Sequence, residues 1–254
     1  MAPRGGRWPP RTRLCSKEGM EALRETASPR TPPSEDVGAL ALRARPASAR
    51  GLNTLNRILE ATTDLAAEVG FEAVNTNLIA ARAGVNIASI YKYFPNKQAI
   101  FATIAERMAE ANQTQLAALI AQIDGGRPWR SAVSDGIRLA ARRRVHSPGE
   151  RAIWMAIRLS PELQGVDASA SLAIARLLAG SILRRSGGDA DRALLVARVA
   201  IEGVSGVLDL LLTEPASEAE LLVQEATEAF VRYLEPWMEG AVTSDAPAPP
   251  PAGR

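Results

Sequence analysis

A single cysteine, Cys15, and a single histidine, His146, are all that 254 residues contain of the two side chains most used for metal binding and nucleophilic catalysis. One cysteine excludes an internal disulfide, which fits a reducing compartment. No Cys/His cluster has metal-ligand spacing. Enzymatic chemistry needs a nucleophile, a base and an orienting group to converge, and neither such a set nor a phosphate-cradling loop is visible. No enzyme activity, metal or cofactor is therefore expected. Aromatic residues make up only 4% of the chain. No apolar run approaches a membrane span, and the N-terminal arginines are not followed by the apolar stretch of a secretory signal. A cytoplasmic protein with no membrane partner is the expectation.

What is present is apolar and helix-prone. Hydrophobic residues are 46% of the chain, with Ala, Leu and Arg abundant, a mixture that favours helix over sheet. The net charge of +2 hides an asymmetry: residues 1–50 hold ten Lys/Arg against five Asp/Glu, leaving the remainder slightly acidic. A basic arm ahead of such a body can serve an anionic polymer; a solvated tail is the plainer alternative. Residues 1–45 are rich in Pro, Arg, Ser and Gly and read as a flexible basic tail. Residues 241–254, with Asp245 followed by alternating Ala and Pro, read as another.

Between the tails the periodicity is helical throughout, and no segment alternates with period two. Leu55, Ile58, Leu59, Thr62, Leu65, Ala66 and Val69 make one apolar stripe, with Asn53 as N-cap and Gly70 as stop. Two short helices follow, about 76–83 capped by Asn75 and about 87–94 capped by Asn86, joined by a turn containing Gly84. A long helix runs from Lys97 to about Ile123. Further helices are expected at about 128–145, 148–159, 167–186, 189–213 and 217–238, the last capped by Ser217. The fold class is all-α. An N-terminal three-helix domain (46–97) is followed by a helical domain (98–240).

The two short helices have the form of a helix-turn-helix, in which the first braces the second and the second presents its N-terminal residues to base edges in the major groove. The marks Gly70-Phe71, Ile79-Ala80, Ala83-Gly84-Val85, Ile90-Tyr91, Tyr93-Phe94 and Lys97 fall in fixed register without gaps. In them the segment resembles the N-terminal domain of TetR-family transcriptional regulators, over about a fifth of the chain.

The resemblance implies a double-stranded DNA operator as partner and assigns roles. Thr76 and Asn77 open the bracing helix and would touch phosphate; helix capping is the plainer reading. Ile87, Ala88 and Ser89 open the recognition helix. Ser89 can hydrogen-bond to base or phosphate, whereas Ile87 and Ala88 offer only apolar contact to a thymine methyl, or core packing for Ile87. With so little hydrogen-bonding code, readout leans on DNA shape or on help from Asn77 and Lys92. Tyr91 and Tyr93 are expected at phosphates through their hydroxyls. Lys97 lies in the first turn of its helix, where a cation opposes the helix dipole at a cost of about 0.3–1 kcal/mol. A phosphate would reverse that sign, so Lys97 is expected to face one, unless it is an indifferent surface lysine. Arg43, Arg45 and Arg50 could reach a minor groove or phosphates, or form a solvated linker.

The remaining helices are compatible with the family's ligand-binding and dimerisation domain, implying a homodimer and a small-molecule effector. Helix 189–213 is apolar nearly all round and needs cover on both sides. A twofold partner, packed through it and helix 217–238, would supply that cover, with Gly203, Ser205 and Gly206 allowing close approach; a deeply buried core helix in a monomer is the alternative. Such a dimer would set the recognition helices about 34 Å apart to read a near-palindrome. Met108, Trp129, Trp154, Met155 and Arg158 are the candidate ligand contacts. Arg142, Arg143 and Arg144 read as a solvated helix face. A ligand-released repressor is the function implied. A helical adaptor that keeps the fold without specific DNA binding is the other reading.

Overall fold

The computed structural model describes residues 40–145 and 147–240; the bulk of both tails, Cys15 and His146 lie outside the described residues. The described residues form nine α-helices and one 3-10 turn, with no strand among them. In order these are α1 (Ala49–Ala73), α2 (Thr76–Ala83), α3 (Ile87–Tyr93), α4 (Lys97–Asp124), α5 (Trp129–Val145), α6 (Pro148–Leu159), α7 (Pro161–Ser186), α8 (Ala190–Asp209), the turn Leu210–Leu212, and α9 (Ala216–Met238).

Local chemistry sets the short helices. Asn75 accepts a hydrogen bond from the Leu78 N–H, Asn86 from Ala88, and Asn96 from Ala99, each satisfying one of the orphan donors of a first turn. Gly84 ends α2 in the left-handed region (φ 61°). A Cβ there would also lie 2.7 Å from an Arg57 guanidinium nitrogen, which donates to the carbonyls of Ala83 and Gly84. The turn is thus held from α1. Glu68 on α1 takes both Arg82 Nη donors of α2.

Several boundaries differ from expectation. Ser48, not Asn53, caps α1, accepting from Gly51. Gly70 breaks α1 (φ 77°, ψ 160°), but a further turn follows, because Phe71 must reach inward to meet Phe101 edge-on, centroids 4.8 Å apart. α7 begins at Pro161, a residue suited to a first turn, and Ser217 stands inside α9 rather than at its cap.

α1 to α3 close around Ile58, Ile79, Ile90 and Phe94, and this core runs without a break into Ile100 and Phe101 of α4 and Ile153, Ala156 and Ile157 of α6. α7 packs between α4 and α8. By length and composition it is the one helix among the described residues apolar enough to cross a membrane; Ile174, Ala175, Leu178 and Ile182 are buried in the bundle core, as a central helix requires.

Candidate nucleic-acid interface and ligand cavity

Thr76 and Tyr91 come together: Thr76 Oγ1 lies 3.2 Å from the Tyr91 hydroxyl, and Tyr91 is 44% exposed. The pair joins the start of α2 to the outer face of α3, two hydroxyls on one surface. Asn77, Ala88, Lys92 and Arg50 are exposed and Ser89 is half-buried. Ile87 is half-buried against the domain core, so it serves packing as well as any contact outward. Lys92 Nζ sits 5.4 Å from the Tyr93 ring centroid.

Tyr93 stands elsewhere than expected. It is 4% exposed, and its hydroxyl lies against Gly51, where an added Cβ would be 3.1 Å away. Two residues of helix separate it from Tyr91, about 200° of rotation, so only one of the two can face out. Lys97 is also corrected. Its ammonium is not aimed at an outside anion but donates to the carbonyls of Phe71, Glu72 and Val74 at 3.1, 3.2 and 3.1 Å and lies 4.7 Å from the Phe71 ring centroid. The unfavourable placement at the start of α4 is offset because the same cation closes the end of α1, where orphan carbonyls attract it.

The arm is docked where it can be described. The Arg43 N–H donates to the Tyr93 carbonyl at 2.8 Å and its guanidinium to the Tyr91 carbonyl at 3.3 Å, while Leu40 and Leu42 pack on the core. Arg43 therefore holds the C-terminal end of α3; Arg45 is exposed. Sequence reasoning missed this role, since no local pattern marks it.

A cavity of about 130 Å³ lies among α4 to α9. Of the five candidate ligand contacts, Met108 and Trp154 line it. Trp129, Met155 and Arg158 do not. Trp129 is buried in a separate cluster beside Ile123 under the Arg130 guanidinium, and Arg158 is exposed and paired with Asp209. The run Arg142–Arg144 is not uniformly solvated: Arg142 is exposed, but Arg144 is 3% exposed and on the cavity wall. Its Nε meets Asp209 at 3.2 Å, its Nη2 meets Ser205 Oγ at 2.9 Å, and its plane lies 4.3 Å from the Trp154 ring centroid. Burial pulls the Arg144 pKa down, opposed by Asp209. Asp167, also on the wall, has its pKa raised, chiefly by burial. Asn112 Oδ1 and Trp154 Nε1 are buried without a partner. Neither Asn112 nor Asp167 carries a sequence signal, because each is an ordinary polar residue in a helix until α5 to α8 fold over it. No group of three His, Cys, Asp or Glu suited to a metal occurs among the described residues.

Residues 58–104 match the family described as bacterial regulatory proteins, tetR family, and residues 128–234 match the tetracyclin repressor-like C-terminal domain. The chain belongs to the TetR family. Among its relatives, the tetracycline repressor protein class A from transposon 1721 of Escherichia coli is 28% identical over 148 residues, covering 54% of this chain and 68% of that protein. The HTH-type transcriptional repressor KstR of Mycolicibacterium smegmatis is 37% identical over 76 residues, 29% of this chain and 35% of that protein. A solved TetR-family transcriptional regulator from Streptomyces coelicolor superposes with a TM-score of 0.58 at 27% identity, covering 73% of this chain and 98% of that one. This TetR-family chain is accordingly a DNA-binding transcriptional regulator rather than an enzyme, with an all-helical fold. Members of the family bind operator DNA and small effectors and function as dimers.

Proposed function

We propose that this regulator is a ligand-released repressor that binds a near-palindromic operator as a homodimer. The observation that carries the reading is the span of α4. Its first turns, Ala99 to Ala105, are buried in the core shared with the helix-turn-helix, and Ala105 to Ile123 border the cavity. An occupant that displaces α4 therefore acts on the seating of α3. Phosphate contact is assigned to Thr76, Asn77, Tyr91, Lys92 and Arg50, and base contact to Ala88, Ser89 and the outward edge of Ile87. Asn112, Arg144, Trp154, Asp167 and Met108 are assigned to the effector.

The dimer is supported by exposed apolar side chains on the last two helices: Leu195 and Val199 on α8, each 53% exposed, and Leu221 on α9, 59% exposed. Gly206 meets open space, but Gly203 faces Phe230 of its own chain and Ser205 bonds Arg144. Only Gly206 of the three small residues is left for close approach by a partner.

Selection of full-length protein against a random DNA pool should enrich one near-palindrome. Sedimentation should give a dimer that Leu221→Arg dissociates. No enrichment over input would favour the adaptor reading and overturn this one.

A further inference from the structure

The cavity is polarised along its length. α4 borders it from Ala105 to Ile123, and beyond Asn112 that is about 16 Å of helix at 1.5 Å per residue. This far stretch meets only apolar wall: Leu116, Leu119 and Ile123 of α4, Ala132 of α5, Leu178 of α7 and Leu234 of α9. Arg144 holds Ser205 and Trp154 together and has Asp167 as a charged neighbour, and Trp154, Met108 and Val166 pack on the core shared with the helix-turn-helix, so these polar side chains lie at the end of the cavity beside the DNA-binding domain.

Two charged side chains border the cavity, and they differ in one respect. Arg144 is engaged by Asp209, Ser205 and the Trp154 ring. Asp167 accepts no hydrogen bond and makes no ion pair among the described residues. Its charged neighbours are Arg144, Asp209, Glu202 and Arg158; the two arginines share the single Asp209 carboxylate, and with Asp167 and Glu202 added the group carries three negative charges against two positive ones. The same wall holds a second open acceptor, Asn112 Oδ1, one open donor, Trp154 Nε1–H, and the buried Ser171 hydroxyl, one helical turn beyond Asp167. Buried polar atoms without partners cost free energy that a fitting ligand recovers.

We propose that the effector is a hydrophobic amine. Its protonated nitrogen donates to Asp167 and Asn112, and its apolar tail lies along α4 toward Ile123. An oxygen beside the nitrogen would complete the set by accepting from Trp154 Nε1–H, so an amino alcohol binds tighter than the bare amine. A carboxylate head is disfavoured, because it would face Asp167 while Arg144 is already occupied. A bound cation stabilises the Asp167 carboxylate against the burial that raises its pKa, in the same sense as Arg144 already does. The proposal rests on the reading of this cavity as the effector site.

The test is calorimetric titration of the full-length protein with dodecylamine, 1-dodecanol and dodecanoate, each below its aggregation concentration, with tryptophan fluorescence as a second readout. The amine should bind about ten- to a hundredfold tighter than the alcohol, the range of a charge-assisted hydrogen bond, and the carboxylate weakest. Asp167→Asn should bring the amine down to the alcohol's affinity. If that variant does not fold, Asn112→Leu should lower the amine several-fold more than the alcohol. Tightest binding by dodecanoate, equal affinities for all three, no saturable binding of any of them, or a preference untouched by both variants would each overturn the proposal. DNA selection without probe reads the regulator function separately, so the two can fail independently.

Discussion

Lys97→Met separates two jobs that one lysine could do. In the structure its ammonium makes three hydrogen bonds to the carbonyls of Phe71, Glu72 and Val74. Distances of 3.1–3.2 Å are longer than the best charge-assisted bonds, so each contributes about 1 kcal/mol, as an ordinary hydrogen bond does, and the three together about 3 kcal/mol. The Phe71 ring adds about 0.5–1 kcal/mol. Against this, methionine relieves the helix-dipole penalty at the start of α4, about 0.3–1 kcal/mol, and its shorter apolar chain still covers Phe71. The net loss is about 3 kcal/mol, or roughly 6–12 °C in Tm for a chain of this size. Urea unfolding measures that loss, and a gel-shift titration across salt measures the other job. If Lys97 neutralised a phosphate, the substitution would reduce the slope of log K against log salt by about 0.9 for each protomer bound. The cap predicts reduced stability with an unchanged slope. Full stability with a slope reduced by that amount would refute the argument.

Tyr91→Phe removes the hydroxyl beside Thr76 and should weaken binding to specific and random DNA alike by a few-fold in the same gel-shift assay, whereas Tyr93→Phe, at a buried ring, should do less. Asp167 gives a pH effect whose sign follows from its raised pKa. Between its unfolded and folded pKa values the native state binds the extra proton, so stability of the unliganded protein falls as pH rises through that window. Asp167→Asn should therefore raise Tm at neutral pH and leave it nearly unchanged in acid, below both values. A Tm lowered by the same amount at both pH values would count against a destabilising carboxylate.

The parts legible in the sequence were those whose causes are local. The caps Asn75 and Asn86 and the stop at Gly84 depend on neighbours within a turn, and each stands where the pattern puts it. Of the apolar stripe, Leu55 to Ala66 are buried as the period requires, but Val69 is 49% exposed, one residue before the break at Gly70. The errors came where a distant element decides. Lys97 looked free because its three acceptors are 23 to 26 residues away. Arg144 looked solvated because the carboxylate that permits its burial, Asp209, is 65 residues on. Trp129 and Trp154 were indistinguishable as large aromatics; which one borders a cavity is settled by how α5 and α6 pack, not by their flanking residues.

The contact between α6 and α1 makes the link from cavity to helix-turn-helix testable without any ligand. α6 carries Trp154 on the cavity side and Ile153, Ala156 and Ile157 in the core it shares with α1. At its start, a Cβ on Gly149 would lie 2.5 Å from Thr63 Cγ2, about an ångström inside ordinary contact. Thr63 cannot swing aside cheaply, since it is β-branched and its Oγ1 bonds the Leu59 carbonyl at 3.0 Å. Gly149→Ala must therefore push α6 away from α1. The overpacking costs about 1–3 kcal/mol, partly offset by about 1 kcal/mol of helix propensity, so the protein should stay folded with a modestly lowered Tm. DNA affinity should fall further than that loss of stability accounts for, because α1 braces α2 through Arg57 and Arg82. Thr63→Ser removes only the clashing methyl and keeps the hydroxyl, so the double variant should recover both. A double-mutant cycle in DNA binding reads the coupling directly. Wild-type affinity in Gly149→Ala, or no recovery on adding Thr63→Ser, would mean that α6 does not set the position of the helix-turn-helix.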